Sequence, residues 1–181
     1  MSADGLPAVC TIGHSTRTIS EFVELLRAGR VETVVDVRTI PRSRTNPQYN
    51  LDRLPGEFGR WQIGHTYIEA LGGLRKRSAV VPPEVNGFWQ NRSFHNYADH
   101  ALSGEFQEGL DELLALGAQR RCAIMCSEAV WWRCHRRIIA DYLLARGRTV
   151  LHLMGRSRIE PARITAASVR RGAALVYPVG G

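Results

Sequence analysis

The sequence lacks the segments that would place the chain in or across a membrane. None of its 181 residues belongs to an apolar run near the roughly 18 residues that a membrane-spanning helix needs. The segment from Met1 to Cys10 has neither the basic start nor the long apolar stretch of a secretory signal peptide. We therefore expect a cytoplasmic protein with no membrane partner.

Cysteine is too scarce for a disulfide framework. The four cysteines are Cys10, Cys122, Cys126 and Cys134. A chain of this length can bury enough apolar surface to fold without disulfides, and disulfides are rare in the cytoplasm. Three of the four lie between residues 122 and 134, which marks that segment as chemically unusual.

Lysine is almost absent, because Lys76 is the only one. Arginine therefore carries the positive charge, and the 24 Lys and Arg exceed the 17 Asp and Glu by 7. Residues 41–95 hold eight basic and four acidic groups, and residues 155–181 hold five Arg and one Glu. An anionic partner would bind at these two regions. An arginine bias of the genome would produce the same composition.

The first forty residues predict a strand, a helix and a second strand. Ala8–Ile12 is a short apolar run that ends in Gly13, as a buried strand does before a turn. Thr18 and Glu21 have the spacing of a capping box at a helix start. The β-branched run Thr33–Val37 completes a unit of two parallel strands joined by a right-handed crossover.

The remaining chain continues this alternation after a long interruption. Residues 41–95 are rich in Pro, Gly and Arg and predict a loop-rich insert, a lid or wall over a site. The later elements are a helix over 97–116, a strand over 121–126, a helix over 130–146, a strand over 149–154 and a tail strand over 174–177. An insert strand is expected at 66–68. We predict one α/β domain over 1–181, a three-layer sandwich with a mainly parallel sheet and a basic C-terminal tail at 155–181.

Polar or reactive residues stand at the carboxyl ends of the predicted strands. Because ligands of parallel sheets bind at these ends, the residues together predict one site. They are His14, Ser15, Asp36, Arg38, Cys126, Ser127, Glu128 and His152. The pair Asp36 and Arg38 could equally form a structural salt bridge.

Cys126 is a candidate nucleophile. A cysteine between a strand and a helix N-terminus can have a lowered thiol pKa, because helix-end amides favour the thiolate, as in phosphatase and rhodanese loops. Those loops place five residues between Cys and Arg, whereas six separate Cys126 from Arg133. Glu128 would also oppose thiolate formation.

A metal site is the other interpretation of the same segment. Cys126, Glu128, Cys134 and His135, with His14 from a neighbouring strand, are ligand types that suit zinc or iron. However, seven residues separate the two cysteines, unlike the short spacing of structural zinc sites. Helical spacing favours a buried core position for Cys134 and leaves His135 open.

Five motifs in order resemble one protein family. They are Thr11-Ile-Gly-His-Ser15, Asp36-Val-Arg38 with Pro41 and Ser43, Leu71-Gly-Gly73, Met125-Cys-Ser-Glu128, and Cys134-His-Arg136 with His152. The chain closely resembles the domain-of-unknown-function 488 family over about residues 9–154. The resemblance implies a compact α/β domain without an agreed activity. It marks as motif positions His14, Ser15, Asp36, Arg38, Cys126, Glu128, Cys134, His135 and Arg136.

The first functional hypothesis is an enzyme or ligand-binding domain for an anionic, phosphate-bearing substrate, with hydrolysis or group transfer as the reaction. Arg38, Arg136 and Arg42 would hold the anion, because guanidinium groups match phosphate. His14 or Glu128 would move a proton. Cys126 would be a nucleophile or a metal ligand. The predicted binding set is completed by Ser15, Asp36, Ser127 and His135.

The alternative is a nucleic-acid-binding module without catalysis. The basic insert and tail would contact phosphates, and Tyr49, Trp61 and Trp89 would stack on bases. A third interpretation takes the polar strand ends as a structural network in an interaction domain. A catalytic metal would separate the first two hypotheses, because a binding module has no need of one.

Overall fold

The structure is a computed structural model that describes residues 5–156 and 158–180. The strands are β1 (Val9–Gly13), β2 (Thr33–Asp36), β3 (Gly64–Tyr67), β4 (Cys122–Cys126), β5 (Val150–Leu153), β6 (Ile159–Pro161), β7 (Val169–Arg171) and β8 (Ala174–Val176). The helices are α1 (Ile19–Ala28), α2 (Leu54–Gly59), α3 (Arg92–His100), α4 (Gly104–Gln119) and α5 (Arg136–Ala145).

Six strands form one mixed sheet in the order β3-β2-β4-β1-β5-β6. The first five are parallel, and β6 runs antiparallel to β5 at the edge. β7 and β8 form a separate antiparallel hairpin. The predicted three-layer α/β fold with a mainly parallel sheet is confirmed.

Helices cover both faces of the sheet, because successive strand residues point to opposite sides. In β1, Val9 belongs to the core cluster that contains residues of α3, α4 and α5, whereas Cys10 belongs to the cluster of α1 and α2. Phe106 of α4 and Phe22 of α1 are fully buried on the two sides. The central strands β1 and β4 are therefore buried on both faces, apart from the partly exposed Cys126 at the end of β4.

Helix starts explain where the structure differs from the predicted elements. The capping box at α1 is confirmed, with Thr18 and Glu21 bonded reciprocally. The helix predicted over 97–116 is two helices, because Ser103 accepts a hydrogen bond from the Phe106 amide and starts α4 anew.

The helix predicted over 130–146 starts only at Arg136. Before it, residues 131–133 form a short 3₁₀ turn. Cys126 therefore does not lead directly into a helix N-terminus, and the sequence-based reason for a lowered Cys126 pKa is wrong.

The insert over 41–95 is more ordered than predicted. It contains α2, β3 and three 3₁₀ turns at Pro47–Tyr49, Glu69–Leu71 and Pro83–Asn86. Its Tyr49 and Phe58 are fully buried in the α1 side of the core. This part of the insert therefore contributes to the hydrophobic core. Within the described ranges, no helix is both long and apolar enough to cross a membrane.

Candidate functional site

The ends of β1 and β4 meet closely because residue 13 is glycine. A Cβ atom on Gly13 would lie 1.8 Å from the carbonyl oxygen of Glu128. The parallel pairing continues past the strands, since the His14 amide donates to the Cys126 carbonyl at 2.9 Å and the Ser15 amide to the Ser127 carbonyl at 3.0 Å. The predicted convergence of these strand-end segments is therefore present in the fold.

Asp36 and Arg38 form a buried ion pair at the end of β2. The Arg38 Nε and Nη2 atoms donate to the two Asp36 carboxylate oxygens at 2.9 and 2.7 Å. Nη2 also donates to the Tyr49 carbonyl at 2.7 Å. Burial alone would raise the Asp36 pKa, but the bonds from Arg38 hold it below its usual value. The structural salt bridge is thus formed, and it neutralises most of the Arg38 charge.

His14 is a buried, neutral neighbour of this pair. Its Nδ1 donates to the Ser15 carbonyl at 2.8 Å, so its Nε2 is left to accept from Arg38 Nη1 at 3.3 Å. The ring stacks on Tyr49 with centroids 4.2 Å apart. Burial lowers the His14 pKa to about 4. Because both nitrogens are engaged, this geometry favours orientation of Arg38 over proton transfer.

Two thiols and one imidazole nitrogen form a compact cluster. The ligand atoms of Cys126, Cys134 and His135 all lie within 4.8 Å of one another. His135 Nδ1 is 3.5 Å from the Cys134 sulfur and 4.0 Å from the Cys126 sulfur. His135 Nε2 lies 2.8 Å from the Val37 carbonyl oxygen, which can only accept. In the neutral ring, Nδ1 therefore directs a lone pair toward both sulfurs.

Arg136 makes the two sulfur atoms of the cluster electrostatically different, because it bonds to Cys134. The Arg136 side chain is 1% exposed, and its Nε donates to the Cys134 sulfur at 3.2 Å. Although burial raises the Cys134 pKa, the interactions with Cys126 and with Arg136 lower it to about 6. The interaction with Cys134, together with burial, raises the pKa of Cys126. Without a metal, this environment therefore favours the thiolate form of Cys134 over that of Cys126.

The three residues could hold a metal ion. With zinc–sulfur bonds of about 2.3 Å and zinc–nitrogen bonds of about 2.0 Å, a tetrahedral ion separates sulfur from nitrogen by about 3.5 Å. The observed separations of 3.5 and 4.0 Å are close to that value. The bond from His135 to Val37 is the outer support that metal-binding histidines usually have.

Gly73 provides room beside this cluster. A Cβ atom at that position would lie 2.4 Å from His135 Nδ1, the nitrogen that faces the sulfurs. The Leu71-Gly-Gly73 motif thus has a steric function at the site. Sequence reasoning quoted the motif but did not connect it with the histidine.

The cluster opens into a pocket of about 300 Å³, which we call the thiol pocket. It is lined by Arg38, Thr39, Ile40, Gly73, Leu74, Ser93, Phe94, Cys126, Ser127, Glu128, Arg133, Cys134 and His135. The lining holds two guanidinium groups and one carboxylate, Glu128. Because Arg38 is already paired with Asp36, Arg133 is the guanidinium group left to attract an anion.

The structure does not place every predicted residue in this pocket. His14 and Ser15 line a neighbouring pocket instead, together with Arg38 and Ser127. Arg136 is buried behind the cluster and bonds to the Glu128 carbonyl, so its contact is with Cys134 and not with the pocket.

Two further predicted features are buried. His152 stacks on Trp131 at 4.4 Å and bonds to the Thr11 hydroxyl at 2.7 Å. Tyr49 and Trp89, two of the three aromatic residues predicted to stack on bases, are 0% and 6% exposed. Trp61, the third, lies under the Arg27 guanidinium. The predicted stacking surface is therefore not formed by these residues.

Comparison with known proteins gives one match. No curated protein and no solved structure matches the chain. The matching family model is described as a domain of unknown function, DUF488, and it spans residues 18–143. That range includes Asp36, Arg38 and Gly73 and the whole segment from Cys126 to Arg136. The chain therefore belongs to the DUF488 family.

Proposed function

We propose that the chain is a metal-dependent enzyme that hydrolyses, or transfers a group from, an anionic, phosphate-bearing substrate in the thiol pocket. The observation that carries this proposal is the convergence of Cys126, Cys134 and His135, whose sulfur–nitrogen separations of 3.5 and 4.0 Å are close to that of tetrahedral zinc. Zinc fits this donor set best, and iron is the second candidate.

Three protein ligands favour a catalytic over a structural metal. Structural zinc sites use four protein ligands, whereas catalytic sites use three and leave one position open. Within the described residues, the cluster contains only Cys126, Cys134 and His135. All three line the thiol pocket, which gives a substrate direct access to the ligand atoms.

Metal binding, proton transfer and attraction of the anion would be performed by different residues. A bound metal supplies Lewis-acid activation of an oxygen atom. In hydrolysis, water oxygen bonds to the electrophilic atom of the substrate while the bond to the leaving group breaks. The Glu128 carboxylate, which lines the pocket, accepts the water proton and returns it to the leaving group. Arg133 attracts the anion from the pocket wall.

Metal content tests the proposal directly. Untagged protein is purified without chelators, and its zinc and iron are measured by elemental mass spectrometry. We expect about one equivalent in the wild type and in Cys122→Ala, a matched control from the same strand outside the cluster. Cys126→Ala is expected to lose it. In the cobalt-loaded wild type, we expect intense thiolate-to-cobalt absorption, whereas a protein that binds neither zinc, iron nor cobalt contradicts the proposal.

The proton transfer is tested separately. We expect Glu128→Gln to keep the metal and the fold but to lose turnover of any phosphate ester that the wild type converts in a substrate screen. Among the described residues, the Glu128 side chain accepts a single bond, from the Val130 amide at 3.3 Å, so its replacement by an amide disturbs little structure. Turnover that persists in Glu128→Gln would remove the residue from the mechanism.

A further inference from the structure

A second pocket of about 370 Å³ lies beside the thiol pocket, and we call it the hydroxyl pocket. It is formed by the segments that follow β1, β2 and β4. Its lining is His14, Ser15, Thr16, Arg38, Ile40, Arg42, Ser43, Thr45, Asn46 and Ser127. Three of these residues, Arg38, Ile40 and Ser127, also line the thiol pocket, so the two spaces adjoin.

The lining of the hydroxyl pocket is a set of hydrogen-bond donors with positive charge. It includes five hydroxyl groups, one carboxamide and two guanidinium groups, and it includes no carboxylate. Such a set matches the oxygens of a phosphate group, which accept several bonds and carry negative charge.

Arg42 supplies the uncompensated charge of this pocket. The Arg38 guanidinium is already paired with Asp36. By contrast, Arg42 makes no hydrogen bond or ion pair with any residue that the structure describes. Its five N–H donors are therefore free to bind an anion. The adjacent His14 is neutral because burial lowers its pKa to about 4, so it adds no positive charge to that of Arg42.

The loop that carries Arg42 also holds the Ser43 hydroxyl in place. The Ser43 amide donates to the Asn50 side chain at 2.7 Å, and the Asn46 amide donates to the Ser43 hydroxyl at 3.1 Å. On the other wall, Ser15 has a φ of 47°, a left-handed conformation that costs energy for a non-glycine residue. Little ordering is thus left to occur when a ligand binds.

We propose that the hydroxyl pocket binds the phosphate of a small phosphomonoester as a handle, and that the organic part extends across Arg38 and Ser127 into the thiol pocket. The reaction site then follows from the proposed function, on which this part of the inference rests. The bond that breaks is in the organic part, and the phosphate ester bond stays intact.

Phosphate binding is measured by titration calorimetry with two probes, inorganic phosphate and phenyl phosphate. We expect Arg42→Ala to raise both dissociation constants roughly tenfold, because it removes a charge-assisted hydrogen bond. The matched control is Arg44→Ala, an exposed arginine of the same loop outside the pocket lining. It is expected to change them less than about twofold. Equal effects of the two variants would overturn the proposal.

Two further measurements separate this inference from the proposed metal chemistry. Cys126→Ala is expected to lose the metal and to keep the wild-type affinity for phosphate, so loss of phosphate binding in this variant would place the anion at the cluster and overturn the handle. Phosphorus NMR is expected to show no release of phosphate from phenyl phosphate by the metal-loaded protein, and release would likewise overturn it. Binding of a short oligonucleotide in preference to both probes would instead support the nucleic-acid alternative.

Discussion

Two buried arginines stand at neighbouring points of the site, and they have opposite electrostatic surroundings. Arg38 is 4% exposed and bonds to both oxygens of the Asp36 carboxylate. Arg136 is 1% exposed, and no carboxylate oxygen of the described residues lies within ion-pair distance of it. Its guanidinium group instead donates hydrogen bonds to the Cys134 sulfur, at 3.2 Å, and to the Glu128 carbonyl oxygen.

The difference shows which of the two charges acts on the thiols. A buried cation without a partner is costly, so a native protein retains one where an anion compensates it. For Arg38 that anion is a permanent carboxylate, and the pair is part of the frame of the site. For Arg136, the group within hydrogen-bond distance that can become an anion is the Cys134 thiol, whose sulfur accepts from Nε at 3.2 Å. The sequence places both arginines two residues after a potential anion, Asp36 and Cys134, and does not distinguish the two cases.

Breaking the Asp36–Arg38 pair is expected to have the largest effect on stability. Asp36→Asn leaves the Arg38 charge buried without its anion, which typically costs 3–5 kcal/mol, so about that loss is expected in the free energy of unfolding. Denaturant unfolding followed by circular dichroism measures it. Asp52→Asn removes an exposed carboxylate and is expected to change the free energy by less than about 0.5 kcal/mol. A loss below about 1 kcal/mol in Asp36→Asn would show that Arg38 does not depend on this partner.

Each arginine also has a neutral histidine near it, and these histidines make the fold sensitive to acid. His14 lies beside Arg38 and His152 near Arg136, and burial lowers both pKa values to about 4. An unfolded histidine titrates near pH 6.5. Between pH 6.5 and 4 the unfolded chain therefore takes up protons that the folded chain does not. Stability is complete above about pH 6.5 and falls as the pH decreases toward 4.

His152→Gln separates the two contributions. Each histidine contributes up to about 3 kcal/mol to the loss of stability between pH 6.5 and 4. We expect the variant, measured in the metal-free Cys126→Ala background by denaturant unfolding at several pH values, to show a fall smaller by about that amount. An unchanged pH dependence would mean that His152 is not kept neutral by its position against Trp131.

The parts of the fold that depend on local pattern were predictable. The capping box at Thr18 and the apolar runs of β1, β2, β4 and β5 act within a few residues, and the structure confirms them. β6 and β7 were missed because each has three residues and neither is buried, so neither carries a hydrophobic period. The start of α5 was placed too early because the apolar spacing extends into the 3₁₀ turn before it.

The site was predictable only in its location at the strand ends. Cys134 was assigned to the core, and it is indeed buried, but burial also brings its sulfur to His135 and Arg136. From the sequence alone, burial in the core and metal binding were alternative interpretations of Cys134. In the structure, Cys134 is buried and also belongs to the cluster that could hold a metal. The fit of Gly73 against His135 depends on a contact between distant segments, which no local spacing reports.

The thiol pair gives the smallest expected energy and the most direct test of the comparison. In metal-free protein, the rate of alkylation of Cys134 by iodoacetamide is expected to follow a thiol that titrates with a pKa of about 6. Arg136→Met keeps most of the buried volume and removes the charge, so we expect the midpoint to rise by about one pH unit, or about 1.4 kcal/mol. The hydrogen bond between Cys134 and Cys126 also lowers the Cys134 pKa. It remains in that variant and limits the rise of the pKa. The matched control removes both members of the other pair, in Asp36→Asn with Arg38→Met, and is expected to leave the midpoint unchanged because that pair is nearly neutral. If both changes moved the midpoint equally, the two arginines would be electrostatically equivalent at the thiols, and Arg136 would lose the distinct role that its missing carboxylate implies.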